Sequence, residues 1–284
     1  MLTVPMLTVL EITTIDILEN LKVGYYQLFR HQSPQSLGFL LNAAEQILAT
    51  LAQGNAPYHN SEHTILVAAV GQEILLGKQR REGNVTPYDW LHYMLALLCH
   101  DIGYVQGACL KDSLSERRYW IERDRAITLK PGATDASLAP HHIERSKQYA
   151  AEQFGAAACI DVALVQSHIE RTRFPVPDHP SYQSTADYGG LARAADLIGQ
   201  LSDPQYLQKT VALFAEFEET GANQRLGYGS SADLCAGYPM FFHQAVYPYL
   251  NQAVHCLCAT FTGKRILADL YSNVAAAEQY ARLN

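Results

Sequence analysis

Apolar residues recur at helical spacing along almost all of a 284-residue chain, and no convincing set of alternating strands joined by hairpin turns interrupts them. Helices are predicted near residues 8–30, 35–53, 61–82, 88–101, 141–154, 158–171, 185–201, 204–220, 240–260 and 263–281. Gly and Pro punctuate the gaps, as in "GNAPYHN", "KPGATDASLAP", "FPVPDHPSYQ" and "GYGSSADLCAGYP". The architecture that follows is an all-α, orthogonally packed helical bundle. Two irregular segments, 103–140 and 221–239, are long for connections in a compact domain, and such loops commonly serve as lids or binding loops. Within the first, "SLSERRYWIERDR" could be helical. The alternating charges of "KDSLSERRYWIERDR" read as a solvated helix with internal ion pairs.

With 48% hydrophobic and 17% charged residues, the chain can bury a large core. A formal net charge of -7 argues against a general nucleic-acid binder, which would carry a basic face. A small anionic substrate would then need a local cation to hold it. The first residues, "MLTVPMLTVLEITTID", have no Lys or Arg and meet Glu11 and Asp16 early, which fits neither a secretory signal nor a membrane span. The expected location is the cytoplasm, and the repeated "MLTV" marks Met6 as a second candidate start. Six cysteines without a C-x-x-C pair read as reduced and mostly buried; Cys256 and Cys258 give a weak metal hint, outweighed by their reading as ordinary helix residues.

The stretch "LLCHDIGY", residues 97–104, is an apolar run that closes on His100 and Asp101. A carboxylate at the buried end of such a run is expensive to desolvate unless something pairs with it. Asp196 poses the same question inside "GLARAADLIG". His59 and His63 stand four apart in "YHNSEH", where Asn60 or Ser61 can cap a helix and send His63 out from its first turn. His141 and His142 open a later helix, and His168 stands late in the next. Any one of these histidines is most simply a surface or hydrogen-bonded core residue. Imidazoles and carboxylates converging from several helices are instead the donor set of a Zn, Fe, Mn or mixed-metal hydrolytic centre, and a metal is the best partner for Asp101.

The order H…HD…H…H…D resembles the HD-domain metal-dependent phosphohydrolases, and within them the catalytic domain of cyclic-nucleotide phosphodiesterases. "YHNSEHT" is similar to the Y-H-N-x-x-H-A motif of those enzymes and "LLCHDIGY" to their H-D-x-x-H segment. "HHIERS" resembles their tandem-His helix, and "AADLIGQLSDP" their A-D-L-S-N-P stretch. "MFFHQAVYPYL" and "ILADLYSN" are similar to two segments further on, so that the likeness covers about residues 55 to 281. It implies an HD-type phosphohydrolase domain over 55–284, with N-terminal helices of 1–54 packed on it. It also implies two divalent ions (Zn, Mg, Mn or Fe). His63, His100, Asp101 and Asp196 would hold the first, Asp101 bridging to the second through its other oxygen. His59 would be the general acid for the leaving alkoxide. His142 and His168 are further candidates for the second ion; for His142 a hydrogen-bonding role behind the ligands weighs equally. His141 more naturally faces outward or orients a neighbour.

The pattern also breaks in places. Tyr104 stands where a second His follows HD by three residues, and a phenol is a poorer ligand. The purine-reading Gln falls near Tyr238, while the aromatic clamp survives as Phe241, so the pocket would stack a ring without identifying it. Tyr58, of the Y-H-N motif, joins Tyr104, Tyr238 and Phe241 as a candidate substrate contact. Arg171 and Arg173 could meet a phosphate, although Arg at a helix C-terminus is also favoured by the dipole alone. Tyr247, Pro248 and Tyr249 should bend a helix, and His31, His92, His179, His243 and His255 read as ordinary structural residues. The implied partner is a small phosphorylated substrate such as a nucleotide, with no nucleic acid duplex and no membrane; a homodimer stays open. The function so implied is hydrolysis of a phosphodiester such as a cyclic nucleotide. A nucleotide phosphomonoesterase, a di-iron oxygenase on the same scaffold and a non-catalytic metal module stay open beside it.

Overall fold

The structure, a computed structural model, describes residues 14–122 and 124–283. Among these are twelve α-helices and one two-stranded sheet. Helices α1 (Thr14–Phe29) and α2 (Pro34–Leu51) pack against α3 (Ser61–Glu82) and α4 (Pro87–Cys99). Then come α5 (His142–Phe154), α6 (Val162–Glu170), α7 (Tyr188–Leu201) and α8 (Tyr206–Thr220). The chain closes with α9 (Ala222–Leu226), α10 (Ser231–Phe241), α11 (Asn251–Leu257) and α12 (Phe261–Leu283). One continuous apolar core runs from Ile17 in α1 to Ala277 in α12.

At the centre lies α4. Thr86 and Asp89 form a capping box at its start with Pro87 in the first turn, and every residue from Trp90 to Cys99 is buried. A helix apolar all round must be covered on all sides, and α2, α3, α6 and α7 cover it. The cap of α3 is Asn60, whose side chain accepts from the backbone N–H groups of Glu62 and His63. Where α3 meets α7 the backbones touch: a β-carbon on residue 199 would lie 2.9 Å from Val67 Cα, so Gly199 is required by close approach rather than by conformation. All six cysteines are free, and four of them are buried.

Several sequence expectations need correction. The predicted helix 8–30 is seen from Thr14 to Phe29, and residues 8–13 lie outside the described residues. The segment 103–140 holds no solvated helix at "KDSLSERRYWIERDR" among its described residues. It carries an antiparallel hairpin, β1 (Arg118–Glu122) with β2 (Arg125–Thr128), in which Arg118 pairs with Thr128 and Trp120 with Ala126. The charges alternate with Tyr119 and Ile121, which are buried, and that is the period of a strand rather than a helix face. The segment 221–239 folds into α9 and most of α10 despite its Gly and Pro content. Conversely, the predicted helix 240–260 is interrupted: α10 ends at Phe241, a π-helical turn spans 242–246, and a 3-10 turn holds Tyr247–Tyr249 before α11. Pro248, with no N–H to donate, sits inside that break.

Candidate metal centre

Three helices deliver four side chains to one point. His63 comes from the first turn of α3, His100 and Asp101 from the end of α4, and Asp196 from the middle of α7. The two imidazole Nε2 atoms stand 3.3 Å apart. Asp196 Oδ1 lies 3.2 Å from His63 Nε2 and 3.5 Å from His100 Nε2. Asp101 Oδ2 lies 3.3 and 3.2 Å from the same two nitrogens. That oxygen is buried and makes a directed hydrogen bond to neither ring. His100 Nδ1 donates to Leu97 O at 2.7 Å, which fixes the tautomer and turns the Nε2 lone pair toward the carboxylates.

The donors fit a divalent cation. His63, His100 and Asp196 each offer an atom within 4.8 Å of the others', a nitrogen and carboxylate donor set suited to such an ion, and Asp101 Oδ2 stands against the same two imidazoles. Burial alone would push His63 and His100 down, but the two facing carboxylates raise His63 to about 8 and His100 well above the ordinary imidazole range. Burial would likewise raise the carboxylates, yet the imidazoles hold Asp101 well below its usual range and Asp196 at about 2. The two carboxylates therefore stay ionised and the two imidazoles hold protons more firmly than usual, a tightly coupled group of opposite charges.

A second group stands beside the first. His59 Nδ1 lies 2.5 Å from Glu216 Oε2, and Glu216 Oε1 accepts from the backbone N–H groups of Tyr58 and His59. Burial would raise Glu216, but the adjacent His59 draws it below the usual range. The His59 ring stacks on Tyr104, with centroids 4.6 Å apart and planes 8° from parallel. Tyr104 in turn lies 4.7 Å from the ring of His142. His142 Nδ1 donates to Ala139 O, and its Nε2 faces Asp101 Oδ1 at 3.8 Å, which keeps His142 beside the other oxygen of that carboxylate. Tyr58 is buried with its ring 5.1 Å from His59 and 5.8 Å from His63. A cavity of about 70 Å³ beside His63 is lined by Tyr58, Asn60, Asp203 and Lys209, among others.

Other predicted residues lie apart. His168 is buried in α6 with Tyr188 as its ring neighbour, and it is not among the residues that group with His63, His100 and Asp196. Arg171 pairs with Asp187 at 3.1 Å and donates to Ser184 O at 2.5 Å. Arg173 is paired with Glu144 and Glu170. Tyr238 is 1% exposed and packs against Tyr206 and Phe242, so its phenol faces the core. Phe241 packs edge-on against Phe174 at 5.6 Å. His141 caps the start of α5 with its backbone and makes no side-chain cap.

Glu216 escaped the sequence reading. Its segment, "ALFAEFEET", looks like an exposed acidic helix, yet Thr210, Leu213 and Glu216 share one buried face of α8. A carboxylate on that apolar face was the available signal, the same one that Asp101 gives.

No helix among the described residues is long and apolar enough to cross a membrane. A search of curated proteins finds no match. Among solved structures, the chain is similar to the phosphodiesterase domain of the RhoPDE fusion protein from the choanoflagellate Salpingoeca rosetta. The TM-score is 0.58 at 16% identity, over 97% of this chain and 94% of that one, and the two share the all-α fold. The family model described as Npun_R2479-like matches residues 7–280, and the chain belongs to that family.

Proposed function

We propose that this protein is an HD-type, divalent-metal-dependent phosphohydrolase whose substrate is a phosphodiester such as a cyclic nucleotide. The observation that carries the reading is the meeting of His63, His100, Asp101 and Asp196, with an imidazole, His59, held beside them by its own carboxylate. A purely structural metal site has no use for such a group outside its ligand set. Residues 55–284 would form the catalytic unit and 1–54 its packed support.

His63, His100, Asp101 and Asp196 would hold one cation, and Asp101 Oδ1 with His142 a second. A bound divalent cation neutralises phosphoryl oxygens and acidifies water toward neutral pH. The protein's own residues do the rest. Asp101 and Asp196 supply the negative charge that orders the centre. Glu216 fixes the proton on His59 Nδ1 and sets the ring plane, and Tyr104 stacks beneath it. His59, holding a second proton on Nε2, passes that proton to the leaving alkoxide as a water oxygen bonds to phosphorus and the ester P–O bond breaks; the proton that the water releases goes to solvent, and the neutral ring stays bonded to Glu216. A positioned His in this role is worth about 10² to 10⁴ in rate.

A di-iron oxygenase on the same scaffold would draw on both His142 and His168. His168 stands apart from the cluster, so hydrolysis is the better supported reading.

The test is direct. Protein loaded with Mn²⁺, Mg²⁺ or Zn²⁺ is assayed on a broad panel of cyclic nucleotides and on phosphomonoesters, with products identified. Release of a nucleoside monophosphate, lost in Asp101→Ala, is expected. Metal-replete protein that leaves all the diesters intact would overturn the proposal, and cleavage of monoesters alone would move it to a phosphomonoesterase.

A further inference from the structure

Helix α5 begins at His142, and one turn on it presents two fully buried polar residues, Arg145 and Ser146. Neither points a polar atom at the metal cluster; both grip the main chain that carries it. Arg145 Nε donates to Gly103 O at 2.7 Å and Nη2 to Val105 O at 3.0 Å, so the guanidinium holds the carbonyls on both sides of Tyr104. Ser146 Oγ donates to His100 O at 2.7 Å and accepts from Gly103 N at 2.9 Å, bracketing Asp101. The turn rests directly on the helix: a β-carbon on residue 103 would lie 2.0 Å from His142 O. Arg145 also donates to Trp120 O at 2.5 Å, and Asp112, which balances its charge at 2.8 Å, accepts from Trp120 N at 3.0 Å. The hairpin β1–β2 is therefore tied into the same knot.

A buried ion pair is weak evidence of a stability role, because apolar residues of similar volume often do as well. What no apolar side chain supplies, and no Lys, is a planar fork of five donors in fixed directions. Here that fork is used on three carbonyls and a carboxylate. We infer that Arg145 and Ser146 are positioning residues of the metal centre, setting Asp101 and Tyr104 through the main chain of residues 100–105. The inference rests on the reading of the cluster as a divalent-cation site.

Mn²⁺ and Zn²⁺ affinities of the full chain, the visible spectrum of the Co²⁺-substituted protein and the thermal midpoint are measured together. The variants are Arg145→Lys, Ser146→Ala and, as a remote control in the core of α2, Leu40→Ala. Arg145→Lys and Ser146→Ala should weaken metal binding about 10- to 100-fold, the usual range for residues behind a ligand, and alter the Co²⁺ bands. Leu40→Ala should lower the midpoint and leave affinity and spectrum as in the wild type. If Arg145→Lys fails to fold, Ser146→Ala carries the comparison. Wild-type affinity and an unchanged spectrum in the folded variants would overturn the inference while the metal site stands. A wild-type chain that binds none of the three ions would remove the site itself, and the inference with it.

Discussion

Glu216 holds His59 twice, taking the ring through Nδ1 at 2.5 Å and the peptide that bears it through the backbone N–H at 3.0 Å. The orientation of the ring is thus set from α8, far along the chain from its own motif. For an alkyl phosphodiester, His59→Ala should lower turnover about 10² to 10⁴-fold, the range for a positioned acid. Glu216→Gln should fall between this variant and the wild type. An ester with a p-nitrophenolate leaving group needs no proton, so His59→Ala should cut it at close to the wild-type rate. Equal losses on both esters would remove His59 from the proton-donor role.

Asp101 presents one oxygen to His63 and His100 and the other to His142. Asp101→Asn keeps the shape and removes the charge, and should abolish stoichiometric Mn²⁺ or Zn²⁺ binding. His142→Ala should leave one ion per chain and lose the second, read by elemental analysis after dialysis. Chelation should lower the wild-type thermal midpoint and re-addition restore it, since a ligand present at 100 times its Kd stabilises the fold by about 2.7 kcal/mol. Two ions retained in His142→Ala would take that residue out of the ligand set.

The cluster was legible because Asp101 and Asp196 sit in apolar helices, where a carboxylate demands an explanation. Glu216 was hidden by sharing its segment with Glu218 and Glu219, so that a buried acid looked like one of three exposed ones. His168, late in α6, has Tyr188 as its ring neighbour, a packing that its position in the sequence does not reveal. The helices were readable from their spacing. The hairpin was not, because five residues of alternation in β1 are outweighed by their charges, and neither was the break at 242–249, where the apolar spacing runs on through a Pro.

Burial pulls His168 down to about 4, against an ordinary value near 6.5. The folded state therefore favours the neutral ring, while the unfolded chain protonates first. Its contribution is fully present above pH 6.5 and is lost as the pH falls toward 4, by about 3 kcal/mol. His168→Gln should flatten thermal stability over that window and leave metal content unchanged. A drop in bound metal in this variant would restore His168 as a ligand.

The contact of Gly199 with Val67 lies one helical turn from the cluster on both helices: Val67 follows His63 by four residues in α3, and Gly199 follows Asp196 by three in α7. A methyl group at 199 would meet Val67 Cα and Cγ2 at 2.9 Å and its backbone nitrogen at 3.0 Å. Backbone atoms cannot swing aside as a side-chain tip would, so the helices must part. Overpacking of this kind costs about 1–3 kcal/mol. Parting α3 from α7 also separates His63 Nε2 from Asp196 Oδ1, now 3.2 Å apart. Gly199→Ala should thus lower the thermal midpoint and the metal affinity together, and added Zn²⁺ should recover less stability than in the wild type, because the ion must first draw the helices back. A variant that loses midpoint yet binds Zn²⁺ as tightly as the wild type would show that the helix contact and the centre are independent.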